Sequence, residues 1–326
     1  MKIDDSATHP PGKPLPTPTS PRASTPAAAP ARAGLAWGSL GVLAFSFTVP
    51  LTRFAVGGLS PVFIGAGRAV VAAVLAALAL ALTRQRLPRG RQWARLAVVG
   101  LGVVVGFPLL TSFALTSAPA SHGAVVIALL PAATAVLAVV RGRERPPAAF
   151  WVASALGAVA TVLFASLGSG GAGLGHLRWA DLLLLGAVVA AAVGYAEGGL
   201  LARELGAWQT VSWALVVCSP LMGALTVVAV RAEAPRATSA EWAAFAYLGV
   251  VSMFLGFFAW YRGLAIGPMA QVSQVQLAQP VLSIGWAALL LGEQVGTATV
   301  VGGLVVVLCA GNAVRARLRP ARRPAR

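Results

Sequence analysis

The chain has 326 residues, of which 58% are hydrophobic and 10% are charged, and its mean hydropathy is +0.80. Soluble domains carry about 25% charged residues, so this composition excludes a soluble globular protein and indicates an integral membrane protein. The formal net charge of +16 does not point to nucleic acid, because the arginines gather in the tails and short loops, where a bilayer selects them.

Residues 1–32 are rich in Pro, Ala, Ser and Thr, and we predict that they form a disordered cytoplasmic tail because they cannot bury a core. No apolar stretch follows the first charges, which argues against a cleaved signal peptide. No metal site and no cofactor are expected, because Cys218 and Cys309 lie inside apolar runs without metal or redox spacing. His122 begins an apolar run and is predicted to be an interfacial polar residue rather than a ligand.

Ten apolar stretches follow the tail, and each is close to the length of about 20 residues that a helix needs to cross a bilayer. They lie at about 34–56, 61–82, 94–115, 121–140, 148–167, 180–202, 208–230, 242–263, 269–291 and 296–315. We therefore predict an all-α membrane protein of ten transmembrane helices. Residues 168–179 form the central loop, and residues 316–326 form a basic cytoplasmic tail.

The second half of the chain repeats the first. Three pairs of residues recur at the same offset of 149 positions, namely Pro119 and Pro268, Pro131 and Pro280, and Glu144 and Glu293. A constant offset without a gap indicates an internal duplication, with repeats at 33–167 and 180–315. The repeated glutamates are expected to cap the start of the next helix.

The placement of arginine predicts how the two repeats are inserted. The loops at 83–95 and 141–145 and the C-terminus are arginine-rich and lie on one side if ten helices alternate, so this side is predicted to be cytoplasmic, with both termini inside. An odd number of spans per repeat inverts the second repeat, and the charges agree, since the three arginines of RGRER in the first copy have no counterpart in the second. Two inverted five-helix repeats are an architecture of many transporters.

Several motifs together resemble the EamA-type drug/metabolite transporters over about residues 33–315. They are WGS at Trp37–Ser39, the run from Gly58 to Leu80, the two proline-to-glutamate copies, and LGE at Leu291–Glu293. The first half departs from the last motif, with GRE at Gly142–Glu144. The resemblance implies two EamA repeats around a central cavity that opens alternately to each side, and movement of small organic solutes, often by proton exchange.

Arg68 is the first candidate site residue, because a charge at membrane depth costs about 2.5–3.5 kcal/mol on insertion scales. It lies in the second span in GAGRAVV, and it resembles an arginine that many family members carry there. Its guanidinium is suited to binding an anionic group of the substrate through a bidentate contact. The alternatives are a structural cation paired with backbone carbonyls, or a side chain that reaches the outer interface.

Glu197 is the candidate for proton coupling, since it is a carboxylate in the apolar setting of the sixth span. The alternative is an interfacial residue that is paired with Arg203 or extends toward water.

Gln276 and Gln279 are the other candidates for substrate binding. They share a helix face with Ser283, and their amides donate and accept hydrogen bonds. The alternative is hydrogen bonding between helices. The matching residues of the first copy are Ile127 and Leu130.

These observations predict a carrier in the cytoplasmic membrane, not an enzyme. It would move an amino acid, metabolite or drug-like solute by alternating access, as an exporter coupled to protons. A lipid-linked sugar flippase on the same scaffold stays open, and a membrane-embedded transferase is the weaker alternative, because Asp181 stands alone at its interface. The expected partners are the solute and membrane lipid. A homodimer is left open, although two halves in one chain make a monomer sufficient.

Overall fold

The computed structural model describes residues 28–142, 148–167, 178–266, 272 and 275–318. Regular secondary structure in these residues is helical, without strands, which confirms the all-α class. Most of the predicted N-terminal tail, the central loop and the C-terminal tail lies outside the described residues, as do Glu144, Gln271 and Gln274.

The two halves contain similar sets of helices. The first half has α1 (Ala28–Ser46), α2 (Thr48–Ala55), α3 (Pro61–Leu82), α4 (Arg91–Gly100), a π-helix (Leu101–Gly106), α5 (Phe107–Ala114), α6 (Ala120–Ile127), α7 (Leu130–Gly142) and α8 (Ala148–Leu167). The second half has α9 (Trp179–Leu205), α10 (Ala207–Ala232), α11 (Ser239–Tyr247), a π-helix (Leu248–Leu255), α12 (Gly256–Ile266), a 3₁₀ turn (Gln276–Ala278), α13 (Gln279–Leu291) and α14 (Thr297–Leu318). α1 begins six residues before the predicted first span, inside the predicted tail.

Six continuous helical segments in the described part of the chain are long and apolar enough to cross a membrane. They are Arg32–Ala55, Pro61–Leu82, Arg91–Ala114, Trp179–Leu205, Ala207–Ala232 and Ser239–Ile266. Shorter apolar helices occur at Ala120–Thr134, Trp151–Ala160, Gln276–Leu291 and Thr297–Cys309, where the other four spans are predicted. Ten complete spans therefore stay a prediction.

The third span of each half contains a π-helix at the same register. In the first half it ends two residues before Pro108, while in the second half the matching position is Phe257. Proline thus does not explain the irregularity in both copies. π-helices are frequent at functional sites, and both of these segments supply residues to the central cavity described below.

The fourth span of each half is broken before its repeated proline. α6 ends at Ile127 and α7 begins at Leu130, while the 3₁₀ turn that begins at Gln276 passes into α13 at Gln279. Pro131 and Pro280 follow directly, and each removes a backbone N–H from the helical ladder. The break places the matching residues of both copies next to each other at the middle of the molecule.

The helices of one half pack against those of the other in a two-fold pattern. α3 packs on α10, α1 packs on α12, and α9 packs on α5 and its π-helix. The α1–α12 contact and the α9–α5 contact are equivalent, because α1 corresponds to α9 and α12 corresponds to α5 in the repeat. Two glycine pairs permit these close approaches: a Cβ on Gly102 would lie 2.4 Å from the Ala190 carbonyl oxygen and 2.9 Å from the Gly194 nitrogen. A Cβ on Gly263 would lie 2.7 Å from the Gly38 nitrogen.

Glu293 caps a helix as expected, but the helix belongs to the other half. Its carboxylate oxygens accept hydrogen bonds from the backbone N–H groups of Ala120, at 2.7 Å, and Ser121, at 2.9 Å. These are orphan donors of the first turn of α6. The C-terminal end of α13 therefore lies beside the beginning of α6, at the opposite end of the molecule from the point where α7 stops.

Candidate functional site

A narrow cavity lies between the two halves at the middle of the helices. Its lining comes from α1, α2, α3, α7, α9, α13, both π-helices and the helices that continue them. The cavity volume is about 30 Å³, which is room for one or two water molecules. This conformation is therefore nearly closed around the site, and a larger ligand requires the halves to move apart.

Arg68 lines this cavity and is only 2% exposed. Among the described residues, its guanidinium makes one long hydrogen bond, from Nη1 to Thr52 Oγ1 at 3.5 Å, and Nε has no partner. No ion pair to a carboxylate and no bond to a backbone carbonyl is found for it in this part of the chain. A buried cation with donors to spare is suited to binding an anionic group.

Gln279 lines the same cavity and is 7% exposed, and its side-chain Oε1 has no hydrogen-bond partner. Gln276 is 2% exposed, and its side-chain Nε2 is also without a partner. A second, smaller cavity is lined by both glutamines together with Ile127 and Leu130. The structure therefore places two amides opposite the two aliphatic side chains that occupy the same positions of the first repeat.

Aromatic side chains form one wall of the central cavity. The rings of Phe45 and Phe257 meet edge to face with centroids 4.9 Å apart, and the ring of Tyr195 lies 6.0 Å from that of Phe257. Phe107 also lines the cavity. This wall offers an apolar surface across from the polar groups of Arg68 and Gln279.

Two hydroxyl groups join the halves at the cavity. Thr48 Oγ1 and Ser252 Oγ are 2.7 Å apart, both are buried, and both line the cavity. Thr48 begins α2, and Ser252 lies in the second π-helix. The hydroxyls can exchange this mutual bond for bonds to a ligand.

Glu197 is buried at 4% exposure but does not line the central cavity. Its carboxylate forms an ion pair with the guanidinium of Arg95 on α4, which also pairs with Glu204 at the end of α9. The structure thus brings Arg68 and Gln279 together at one cavity, with Gln276 beside it. Glu197 lies in a separate ion-pair cluster that connects the halves at the end predicted to be cytoplasmic.

Reasoning from sequence missed Arg95 and the residues Phe45, Thr48, Tyr195 and Ser252. Ser252 and Thr48 are hydroxyls in apolar runs, which is a weak signal, and the aromatic side chains have no spacing that separates them from ordinary packing. Trp260 and Trp286 lie in apolar helices, where a tryptophan can line a cavity or pack. Trp260 packs near Phe45 with ring centroids 6.5 Å apart, and Trp286 stacks on Phe47 and donates to Ser46. Neither tryptophan lines the central cavity.

Comparison with known proteins identifies the same two units. The sequence model of the EamA-like transporter family matches residues 32–166 and again residues 178–311. These ranges correspond to the two halves of the fold and cover most of the chain.

Two relatives align along nearly the whole helical part of the chain. The uncharacterized transporter YdeK of Bacillus subtilis (strain 168) is 43% identical over 279 residues, which cover 85% of this chain and 96% of the relative. A probable terminal-alkyne amino-acid exporter of Streptantibioticus cattleyicolor is 28% identical over 270 residues, or 81% of this chain and 87% of the relative. A protein of known crystal structure has a similar fold, with a TM-score of 0.58, 22% identity, and coverage of 87% of this chain and 96% of that one.

Proposed function

Because the chain belongs to the EamA-like transporter family, we propose that it carries an amino acid or a closely related carboxylate across the cytoplasmic membrane. In this proposal it works as an exporter that exchanges the solute for protons. The observation on which the proposal mainly depends is the buried guanidinium of Arg68 at the central cavity, which has unused donors and no ion pair with a carboxylate of the described residues.

The chemistry of the cavity favours a solute with a carboxylate and an apolar body. Arg68 would bind the carboxylate in a bidentate contact, and Gln279, with Gln276 behind it, would bind the ammonium group through the side-chain oxygen. The wall formed by Phe45 and Phe257 would contact the apolar part. The relative named as a probable amino-acid exporter supports the same class of solute.

Alternating access would arise from rocking of two inverted halves. The end of α13 lies beside the beginning of α6, which is the arrangement expected if the second repeat enters the membrane in the opposite sense. Contacts across the halves occur at the cavity through Thr48 and Ser252, and at one end through Arg95 and Glu197. Breaking the contacts at one end would open the cavity to that side.

Glu197 would couple this movement to protons. Its carboxylate pairs with Arg95 of the other half, so protonation would remove the charge that attracts the guanidinium. The cytoplasmic ends of α4 and α9 would then separate more easily. A buried acid whose partner lies on the moving half is a direct way to link proton binding to opening.

Efflux from proteoliposomes tests the proposed solute. Purified protein would be reconstituted into vesicles loaded with a mixture of amino acids, the outside would be made acidic, and the amino acids that leave would be measured by mass spectrometry. We expect a subset of amino acids to leave faster than from protein-free vesicles, and we expect Arg68→Ala to abolish this efflux.

The matched control is Arg89→Ala, which removes an exposed arginine of a loop far from the cavity and should leave efflux unchanged. Wild-type efflux from the Arg68→Ala protein, at equal reconstituted amounts, would contradict the role of Arg68. Failure of every amino acid to leave faster would reject the amino acid class.

Glu197→Gln tests the coupling separately, because glutamine keeps the size of the side chain but cannot ionise. We expect solute exchange without a proton gradient to continue, while acidification of the outside no longer accelerates efflux. A Glu197→Gln protein that responds to the gradient like the wild type would remove Glu197 from the coupling mechanism.

A further inference from the structure

A second pair of polar side chains joins the halves at the opposite end of the molecule from Arg95 and Glu197. His122 Nε2 lies 2.6 Å from Asp181 Oδ1, and the two residues are 6% and 0% exposed. His122 lies in the first turn of α6, in the first half, and Asp181 lies in the first turn of α9, in the second. The expectation that Asp181 stands alone is therefore wrong, because the two side chains form one buried pair.

Asp181 is held in a fixed position. Its second oxygen, Oδ2, accepts a hydrogen bond from the backbone N–H of Arg178 at 3.0 Å, as part of the N-terminal cap of α9. The positive end of the helix dipole also favours a negative charge at this position. The carboxylate is therefore held as an acceptor that faces the imidazole of His122.

The same turn of α6 carries the Glu293 cap. Backbone N–H groups of Ala120 and Ser121 donate to Glu293, and the next residue, His122, pairs with Asp181. Two carboxylates of the second half thus hold one turn of the first half. The other described charged groups around this turn are Arg178, at the start of α9, and Arg53 of α2, which donates to the Leu115 carbonyl at 3.1 Å.

Histidine is the side chain whose ordinary titration falls between pH 5 and 8. A neutral imidazole can already donate a hydrogen bond to a carboxylate, and a protonated imidazole adds the attraction of two opposite charges. A proton bound at this pair would therefore strengthen the contact between the two halves at this end. This end is the one that the arginine distribution predicts to face the outside.

We propose that His122 is a proton-binding site of the transporter and that its pairing with Asp181, together with the Glu293 cap, forms the outer gate. A proton taken up from outside by the open carrier would close the gate and occlude the cavity. The inference rests on the proposed transport function but concerns a different site from Arg68 and Glu197. It gives the two ends of the molecule separate titratable pairs that bridge the halves.

Distances between spin labels test the gate without requiring a known solute. Labels would be attached through Ser117→Cys in the first half and Gln294→Cys in the second, both exposed positions near the gate, in a Cys218→Ala, Cys309→Ala background. Pulsed electron paramagnetic resonance of the protein in nanodiscs would compare pH 5 with pH 8. We expect a single short distance at pH 5 and the appearance of a longer distance, by several ångströms, at pH 8.

Variants separate a proton site from a merely structural contact. His122→Gln can still donate a hydrogen bond but cannot ionise, so its distance distribution should not change with pH. Asp181→Asn should likewise lose the pH response, and it provides the same test if the histidine variant does not fold. Glu293→Gln should increase the population of the longer distance at both pH values. It should keep the response to pH, because His122 is intact.

Two results would overturn the proposal: a wild-type distance that is the same at both pH values, or a pH response that persists in His122→Gln or Asp181→Asn. Neither result bears on the solute, because efflux that depends on Arg68 would still support the proposed function. Conversely, a pH-dependent distance in a protein that transports no amino acid would support the gate and reject the solute class.

Discussion

Arg68 combines two properties that rarely occur together in a folded protein, burial and the lack of an acidic partner among the described residues. Removing a charge from water is costly unless hydrogen bonds or an opposite charge compensate. Its guanidinium makes one long hydrogen bond to the hydroxyl of Thr52 and otherwise faces the cavity. The residue therefore lowers the stability of the unliganded protein, and a bound anionic group would recover that free energy.

Arg68→Met should accordingly stabilise the protein while it abolishes transport. An apolar side chain of similar length removes the uncompensated charge, and we expect the free energy of unfolding to rise by about 1 kcal/mol or more, or about 2–4 °C in Tm. Thermal unfolding in detergent, beside the efflux assay, measures both effects. A lower Tm for Arg68→Met would instead indicate a structural cation, which is the alternative that the sequence left open.

Each of the two buried glutamines should be replaceable, without loss of the fold, by the residue at the matching position of the first repeat. In Gln276→Ile and Gln279→Leu each amide is replaced by the side chain that stands at the matching position, so the fold should be retained. Loss of one hydrogen bond of about 1 kcal/mol should raise the KM for the solute about fivefold at Gln279 and less at Gln276, which lies behind it. Equal Tm values with an unchanged KM would mean that these amides do not contact the solute.

At the scale of the helices, irregular segments and glycine contacts place the site. The two π-helices contribute Val103, Ser252 and Met253 to the cavity, and the broken fourth spans contribute Leu130 and Gln279. Each break relaxes the regular helix where the halves face each other. The first π-helix approaches α9 closely at Ala190 and Gly194, next to Tyr195, which also lines the cavity.

Gly102→Ala should disrupt this contact. The added Cβ would meet the Ala190 carbonyl oxygen at 2.4 Å, and a backbone atom cannot turn away as a side chain can. We expect a loss of about 1–3 kcal/mol in stability and reduced transport. The matched control is Gly223→Ala on α10, where a Cβ would have no neighbour within 4 Å. Thermal unfolding should show no loss for the control, because alanine is the better helix former. An equal loss in both variants would contradict the role of the Gly102 contact.

At the scale of the whole molecule, pairs of polar side chains join the two halves at both ends of a small cavity. Arg95 pairs with Glu197 at one end, and His122 pairs with Asp181 at the other. A carrier that opens alternately must break one set of contacts while it keeps the other. The conformation described here keeps both, which agrees with a cavity of only about 30 Å³.

The inverted insertion can be tested with two matching loops. Arg89 lies in the loop between the second and third spans, and Arg236 lies in the corresponding loop of the second half, and both side chains are exposed. In a background without Cys218 and Cys309, we expect an impermeant maleimide on intact cells to label Arg236→Cys but not Arg89→Cys. Both should react after the membrane is permeabilised. Labelling of both cysteines from the same side would reject the inversion and the rocking mechanism with it.

The sequence by itself determined the class of protein and the duplication, and it drew attention to Arg68 and Gln279, which line the central cavity. Few charges and long apolar runs are imposed by the bilayer, which leaves a signal in composition that needs no knowledge of contacts. The cost of placing a charge or an amide at membrane depth singled out Arg68, Gln276 and Gln279 in the same way. The fixed offset of the repeat then predicted which positions of the two halves correspond.

Only the tertiary structure decided which residues meet. Arg95 and Glu197 are 102 positions apart, His122 and Asp181 are 59 apart, and Glu293 is 173 positions from the backbone N–H of Ala120. Local sequence carries no information on such pairs, because their distance depends on how helices of different halves pack. The expectation that Glu293 caps the next helix in the chain was wrong for this reason. The helix whose N-terminus lies beside Glu293 is α6, which belongs to the other half.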